Sequence, residues 1–329
     1  MPFKYTNKDN ISLPLAVWLM HDSYDYDQRE NVISATSLLK PTRALTLIQQ
    51  NRGLDKTVDI MNLVSARMGS AIHAIAEEAW TNRYNISKAL ETLEMSNLDD
   101  KIVINPSDMD GFDYGEHIPI YVEQRHEKEV DDFIISGKYD LVVDGTVSDY
   151  KSTSVWTYIF DSNALKYTQQ GSIYKWLTSK ITEDVIQIHY IFTDWSSSQA
   201  MRDPKYPQTR VITKEYPLWS FEQTDYFIRN KIKEFKECLD KPQNKLPECT
   251  KEELWESDTK YKYYKNPAKM ARATKNYDTL DEANARLAAD GRVGTVVTVP
   301  GEVKACRYCE VSDVCEQAKN LINQGRLVL

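Results

Sequence analysis

The dipeptide Asp144-Gly145, within GKYDLVVDGTVSDYKST (residues 137–153), constrains the fold more than any other stretch. Asp-Gly between two apolar runs predicts a two-residue β-hairpin turn. Folded about that turn, Val143 faces Thr146, Val142 faces Val147 and Asp140 faces Asp149. Carboxylates directly opposite on paired strands stand about 5 Å apart and repel. One must then hold a proton, or a cation must sit between them. Asp149 and Lys151 are two apart and share one face of their strand. The hairpin therefore directs two carboxylates and an ammonium to one point, for which a divalent metal is the simplest occupant. The competing expectation is a set of charges on the solvent face of a sheet, so the rest of the chain must decide.

Periodicity and punctuation supply the frame. A helix is expected over residues 34–50, capped at Ser34 or Thr36 with Pro41 early, and another over 61–82. Strands are expected at 118–124 and 130–136, leading into the hairpin. A helix over 161–179 follows, then strands at 184–195 and 209–218. Ser220 with Gln223 makes a capping box for a helix running to about residue 238, and a polar, Pro-containing linker lies at 240–248. This order predicts an α/β fold, a mixed sheet flanked by helices over residues 1–240. A smaller C-terminal lobe is expected over 241–329. On the 61–82 helix His73 and Glu77 are four apart and so neighbours on one face, with Gly69 four before His73 to admit a close backbone. On the 161–179 helix Gln170 and Tyr174 share a face, with Tyr167 one turn earlier. Taken singly, these are a packed histidine and a polar stripe.

The 329-residue chain is 41% hydrophobic and 27% charged, which suits one large globular domain or two and excludes a low-complexity or fibrous chain. The net charge of −8 argues against a nonspecific nucleic-acid binder, although a local basic groove can still bind. The N-terminus MPFKYTNKDN has no signal-peptide character, and no apolar run approaches membrane-spanning length. A cytoplasmic protein is expected. Five cysteines in such a chain suggest thiols or a metal site rather than disulfides.

The ordered set Gly69…His73, Gly137-Lys-Tyr-Asp140, Asp149-Tyr-Lys151 and Gln170-Gly-Ser-Ile-Tyr174 resembles the RecB-like branch of the PD-(D/E)XK nuclease superfamily. The resemblance spans residues 34 to about 180, with Ser34…Leu38-Leu39 similar to the family's opening helix. It implies a restriction-endonuclease-like mixed sheet. It implies that His73, Asp140, Asp149 and the backbone carbonyl of Tyr150 bind Mg²⁺ or Mn²⁺, and that Lys151 acts on water or phosphate. Gln170 and Tyr174 would orient the DNA strand, with Glu77 behind His73 and Glu123 as a further acid. The implied function is a metal-dependent DNA exonuclease. It would be phage-encoded and act in replication, recombination or DNA degradation, in the host bacterial cytoplasm, with DNA and phage recombination or replication proteins as partners. One alternative is a nuclease-fold protein that binds DNA or a partner without cleaving. Another is an unrelated α/β protein with a zinc-stabilised tail.

Cys306-Arg-Tyr-Cys309, followed by Cys315, has metal-ligand spacing. The CRISPR-associated and helicase-linked four-cysteine exonucleases hold an iron–sulfur cluster with a similar triplet and one N-terminal cysteine. Here that position falls near Lys40-Pro41, and no cysteine precedes Cys238. Cys249, in LPECTKEELW, is the candidate fourth ligand. Cys249, Cys306, Cys309 and Cys315 would then hold zinc or a 4Fe-4S cluster, and spacing does not choose between them. Cys238 reads as a packed thiol. The segment KYKYYKNPAKMARATKNY, residues 260–277, interleaves cations with tyrosines, which suits a single-strand path or a solvated hairpin.

Overall fold

The computed structural model describes residues 3–22, 27, 29–54, 56–107, 113 and 115–328. The chain forms two compact units: Met1–Leu39 with Gly53–Lys233, and Lys40–Arg52 with Glu234–Leu329.

Strand β1 (Phe3–Thr6), helix α1 (Leu13–Met20), β2 (Val32–Ser34) and α2 (Ala35–Leu38) come first. The helix expected over 34–50 is two helices. Pro41 has no N–H to donate, so α2 stops and α3 (Thr42–Gln50) starts afresh with Pro41 as its N-cap. Ser34 caps α2 as expected, its Oγ accepting from the Ser37 N–H at 3.1 Å. Then come β3 (Lys56–Asp59), α4 (Val64–Thr81) and α5 (Arg83–Thr92). Helix α4 covers most of the span expected from its periodicity.

Six strands follow: β4 (Ile102–Ile104), β5 (Ile118–Val122), β6 (Arg125–Val130), β7 (Phe133–Lys138), β8 (Leu141–Val143) and β9 (Thr146–Thr153). Two strands were expected before the hairpin at 118–136, and three are found there, because left-handed turns at Glu123 and Asp131 divide the run. Helices α6 (Val155–Ile159) and α7 (Ala164–Leu177), β10 (Val185–Phe192), α8 (Ser197–Arg202), β11 (Val211–Pro217) and α9 (Phe221–Cys238) complete this part. The capping box forms: Ser220 Oγ accepts from the Gln223 N–H at 3.2 Å, and Gln223 Oε1 accepts from the Ser220 N–H at 3.0 Å.

In the first unit a six-stranded mixed sheet has the order β11-β10-β9-β8-β5-β4, and a three-stranded sheet has the order β2-β7-β6. The hairpin has the register its turn predicts, Val143 on Thr146 and Val142 on Val147. Asp144 and Gly145 both have positive φ, 46° and 79°, the conformation a two-residue hairpin demands. Strands β9 and β10 are parallel, and α7 lies in the chain between them. At Gly171 an added Cβ would stand 2.8 Å from Ile186 Cβ and 2.7 Å from Leu218 Cδ2, so α7 lies unusually close to β10. Ile135, Ile173, Ile186, Ile188 and Phe192 are fully buried in this unit.

The second unit contains α3, β12 (Lys260–Tyr264), β13 (Lys275–Tyr277), α10 (Leu280–Ala289), β14 (Thr295–Val299) and α11 (Glu316–Asn323). Its antiparallel sheet has the order β13-β12-β14. Leu47 of α3 is buried in one core with Leu246, Leu254, Val303, Val311 and Leu321.

Candidate active site

Asp140 lies where the chain leaves one sheet for the other, between β7 and β8. Its neighbours follow from the pairing on either side. Across β8–β9 its carboxylate Oδ2 accepts from the Tyr150 N–H at 2.9 Å. Across β5–β8, where Val122 pairs with Leu141, its carbonyl accepts from the Glu123 N–H at 3.0 Å. Helix α4 brings in the third member, with His73 Nδ1 3.1 Å from Asp140 Oδ2. Among the described residues, His73, Glu123 and Asp140 are the His, Cys, Asp or Glu group whose ligand atoms all lie within 4.8 Å of one another. They line one small cleft with Glu77, Trp80 and Tyr150.

The electrostatics match a cation site. The hydrogen bond that His73 donates to the Asp140 carboxylate raises the His73 pKa, against the opposing effect of burial. Burial raises the Glu123 carboxyl, and the Lys138 ammonium, 2.5 Å away, pulls the other way. A cation would favour the ionised Glu123 carboxylate and take the place of the proton that Asp140 favours on His73. Metal bonds of about 2.1 Å in octahedral geometry separate adjacent ligand atoms by about 3 Å, close to the His73–Asp140 spacing. The imidazole nitrogen with two carboxylates suits Mn²⁺ or Mg²⁺. The donors therefore fit a divalent ion.

Asp149 is 2% exposed and both of its carboxylate oxygens lie against neighbouring side chains. Its Oδ2 is ion-paired with Lys151 Nζ, and its Oδ1 accepts from Gln170 Nε2 at 3.0 Å. Burial pushes the Asp149 carboxyl up, partly offset by the Lys151 charge. Burial alone would lower Lys151, but the charges of Asp149 and Asp140 outweigh it and hold the ammonium above its ordinary range.

Gln170 and Tyr174, expected against a DNA strand, are 7% and 4% exposed. Gln170 Nε2 also donates to Tyr174 Oη at 2.9 Å, so the pair braces Asp149 from behind. The close approach expected at Gly69 is not found: a Cβ there would meet Ser152 Oγ at an ordinary 3.9 Å. Glu77 is on the cleft wall, while the carboxylate bonded to His73 is Asp140. Glu123 has more prominence than its sequence suggested. Its signal is long-range, the pairing of Val122 with Leu141, and no local motif marks it.

In the second unit, Cys315 is buried in the core against which the half-buried Cys249, Cys306 and Cys309 pack. Burial pushes the Cys249 thiol up to about 12 and the Cys306 thiol up to about 11. Arg43 of α3 is only 4% exposed. Its Nε donates to Cys315 Sγ at 3.3 Å, and its Nη1 donates to the carbonyls of Gln243, Leu246 and Pro247. A buried guanidinium surrounded by carbonyls and one sulfur calls for a negative group, which a metal-bound thiolate supplies. Cys238, on α9, is buried in the same core, as expected of a packed thiol. In the 260–277 segment Lys265, Lys269 and Arg272 are exposed, but Tyr263 and Tyr264 are buried, and Tyr263 Oη bonds Asp290 at 2.8 Å. Those two rings are therefore closed to bases.

A mixed sheet, a hairpin that carries Asp149 and Lys151, and a histidine from helix α4 meet at one site whose donors fit a divalent ion. A family model described as the PD-(D/E)XK nuclease superfamily matches residues 47–316. The chain belongs to that superfamily, whose members use divalent metals. Among solved structures, one titled "Crystal structure of SSO0001" is similar, at 18% identity and a TM-score of 0.34, covering 69% of this chain and 86% of that one. No curated protein matches the chain. Among the described residues no helix is long and apolar enough to cross a membrane.

Proposed function

We propose that the protein is a metal-dependent DNA exonuclease of the RecB-like branch, phage-encoded and acting in DNA replication, recombination or degradation. The observation that carries this reading is the convergence of His73, Glu123 and Asp140 within 4.8 Å, beside a lysine held by a buried aspartate. His73, Glu123 and Asp140 would hold Mg²⁺ or Mn²⁺, with Asp149 and the Tyr150 carbonyl at its edge. Bound there, the ion supplies an acidified water and a counter-charge for the scissile phosphate. Lys151, fixed by Asp149 and kept protonated, donates to a phosphate oxygen and offsets its charge. Gln170 and Tyr174 keep Asp149 from rotating away. Glu123 and Asp140 repel a phosphate until the site carries a cation, which makes metal loading precede substrate engagement.

The cysteines are read as a second centre, in which Cys249, Cys306, Cys309 and Cys315 hold a 4Fe-4S cluster or zinc. The sulfur-facing Arg43 supports an anionic centre there.

The test is digestion of end-labelled DNA with Mg²⁺ or Mn²⁺, offering linear single strands, linear duplex and closed circles to the wild type and to Lys151→Ala. The expected result is loss of linear DNA with circles spared, and at least a hundredfold slower cleavage by the variant. Cleaved circles would make it an endonuclease. No cleavage of any DNA under either metal would sink the enzymatic reading in favour of a DNA-binding role.

A further inference from the structure

Helix α6 begins two residues after β9, the strand that carries Asp149 and Lys151. It is only five residues long, yet it is firmly held. Ser154 Oγ accepts from the Trp156 N–H at 3.2 Å, and the Asp194 carboxylate accepts from Ser154 Oγ at 2.6 Å and from the Val155 N–H at 2.7 Å. Thr153 Oγ1 donates to Thr157 Oγ1 at 3.0 Å, and Val155 is fully buried. Tyr158 turns inward, edge-on to Tyr190 and Phe192. Trp156 and Phe160, four apart, turn outward. They are 50% and 72% exposed, and they stack on each other with centroids 5.8 Å apart and planes 22° apart. A rigid mount for two solvent-facing rings is a poor use of apolar surface unless something covers it.

We propose that Trp156 and Phe160 form a base-stacking platform for an unpaired nucleotide of the substrate, giving the protein a preference for single-stranded or frayed ends. The inference rests on the nuclease reading above and names its substrate class. Three observations choose a nucleobase as the occupant. The near-parallel rings leave outer faces on which a further flat ring continues the stack. Trp156 follows Asp149 by seven residues, the first four along about 13 Å of extended strand, which keeps the platform within a few nucleotides of the site. The rigid mount fixes the ring orientation in advance, as a stacking site requires.

The experiment measures binding of fluorescein-labelled oligothymidylate, and of an abasic strand of equal length, in Ca²⁺ so that turnover is suppressed. The proteins are the wild type, Trp156→Ala, Phe160→Ala and Trp156→Phe, each checked for an unchanged melting temperature. Trp156→Ala and Phe160→Ala are each expected to weaken oligothymidylate binding about tenfold, with Trp156→Phe recovering most of the loss. Abasic-strand binding should be the same in all four proteins. In digestion of linear single strands, KM should rise by the same factor at nearly constant kcat. Equal oligothymidylate affinity in wild type and Trp156→Ala overturns the platform, as does an equal loss on the abasic strand. A smaller sedimenting mass in Trp156→Ala also overturns it, because the patch is then an interface between subunits. If the wild type binds in this base-dependent way but cleaves nothing, the platform stands and the nuclease reading falls. If it cleaves with full dependence on Lys151 while Trp156 is irrelevant to binding, the reverse holds.

Discussion

Glu123 directly follows β5 with a φ of 51°, a backbone state that a glutamate seldom adopts. Its N–H bond to the Asp140 carbonyl holds it there and swings its carboxylate toward His73. Asp149, which a hairpin seen alone would make the ligand opposite Asp140, is taken up by Lys151 and Gln170. The two acids should therefore fail differently. Glu123→Gln is expected to weaken Mn²⁺ binding about tenfold or more, read by calorimetry on the DNA-free protein. Asp149→Asn should change Mn²⁺ affinity by less, yet reduce cleavage at saturating Mn²⁺ at least as severely as Lys151→Ala, because the lysine loses its anchor. If Asp149→Asn costs more metal affinity than Glu123→Gln, the ligand set proposed above is wrong.

At the scale of elements, the spacing of α7 over β10 sets where Gln170 meets Asp149. Gly171 makes that spacing, since a methyl group there collides with Ile186 and Leu218. Gly171→Ala should destabilise the protein by about 1–3 kcal/mol in urea titration, although alanine favours a helix. It should also lower kcat, because the helix that moves away carries Gln170 with it. A neutral or stabilising substitution would show that α7 has room to spare. The same elements divide what could be read from the chain alone. The hairpin register was legible because Asp144-Gly145 is a local signal whose geometry fixes its neighbours. Helix α4 was legible from its period, and the capping box from two residues. The split at Pro41 was written in the sequence as a breaker, yet read as an early helix residue. Glu123 is not marked by the sequence because its placement depends on β5 pairing with β8, a contact between strands nearly twenty residues apart. The inward turn of Gln170 was invisible because helical spacing defines a face without saying what covers it.

At the scale of the molecule, the second unit buries cysteines and Arg43 together with Thr42, Thr46 and Gln317. If the cysteine centre proposed above is present, Cys309→Ser should lower the iron or zinc content, measured by elemental analysis, and lower the stability of this unit by about 4 kcal/mol or more, the size expected when a metal centre is lost. Cys238→Ala should keep its metal content. An unchanged metal content in Cys309→Ser would remove the cysteine centre. The unit has a further property that follows from its two segments. Helix α3, which brings Leu47 and Arg43, and the Glu234–Leu329 segment it packs with are separated by roughly 180 residues of chain. During synthesis at roughly 5–20 residues per second, α3 therefore waits on the order of 10–40 s before its partners emerge. Through that interval its apolar face and its guanidinium belong to no folded body. The order of translation thus leaves Lys40–Arg52 open to chaperones and proteases, and a ribosome stalled before the cysteines would strand it there.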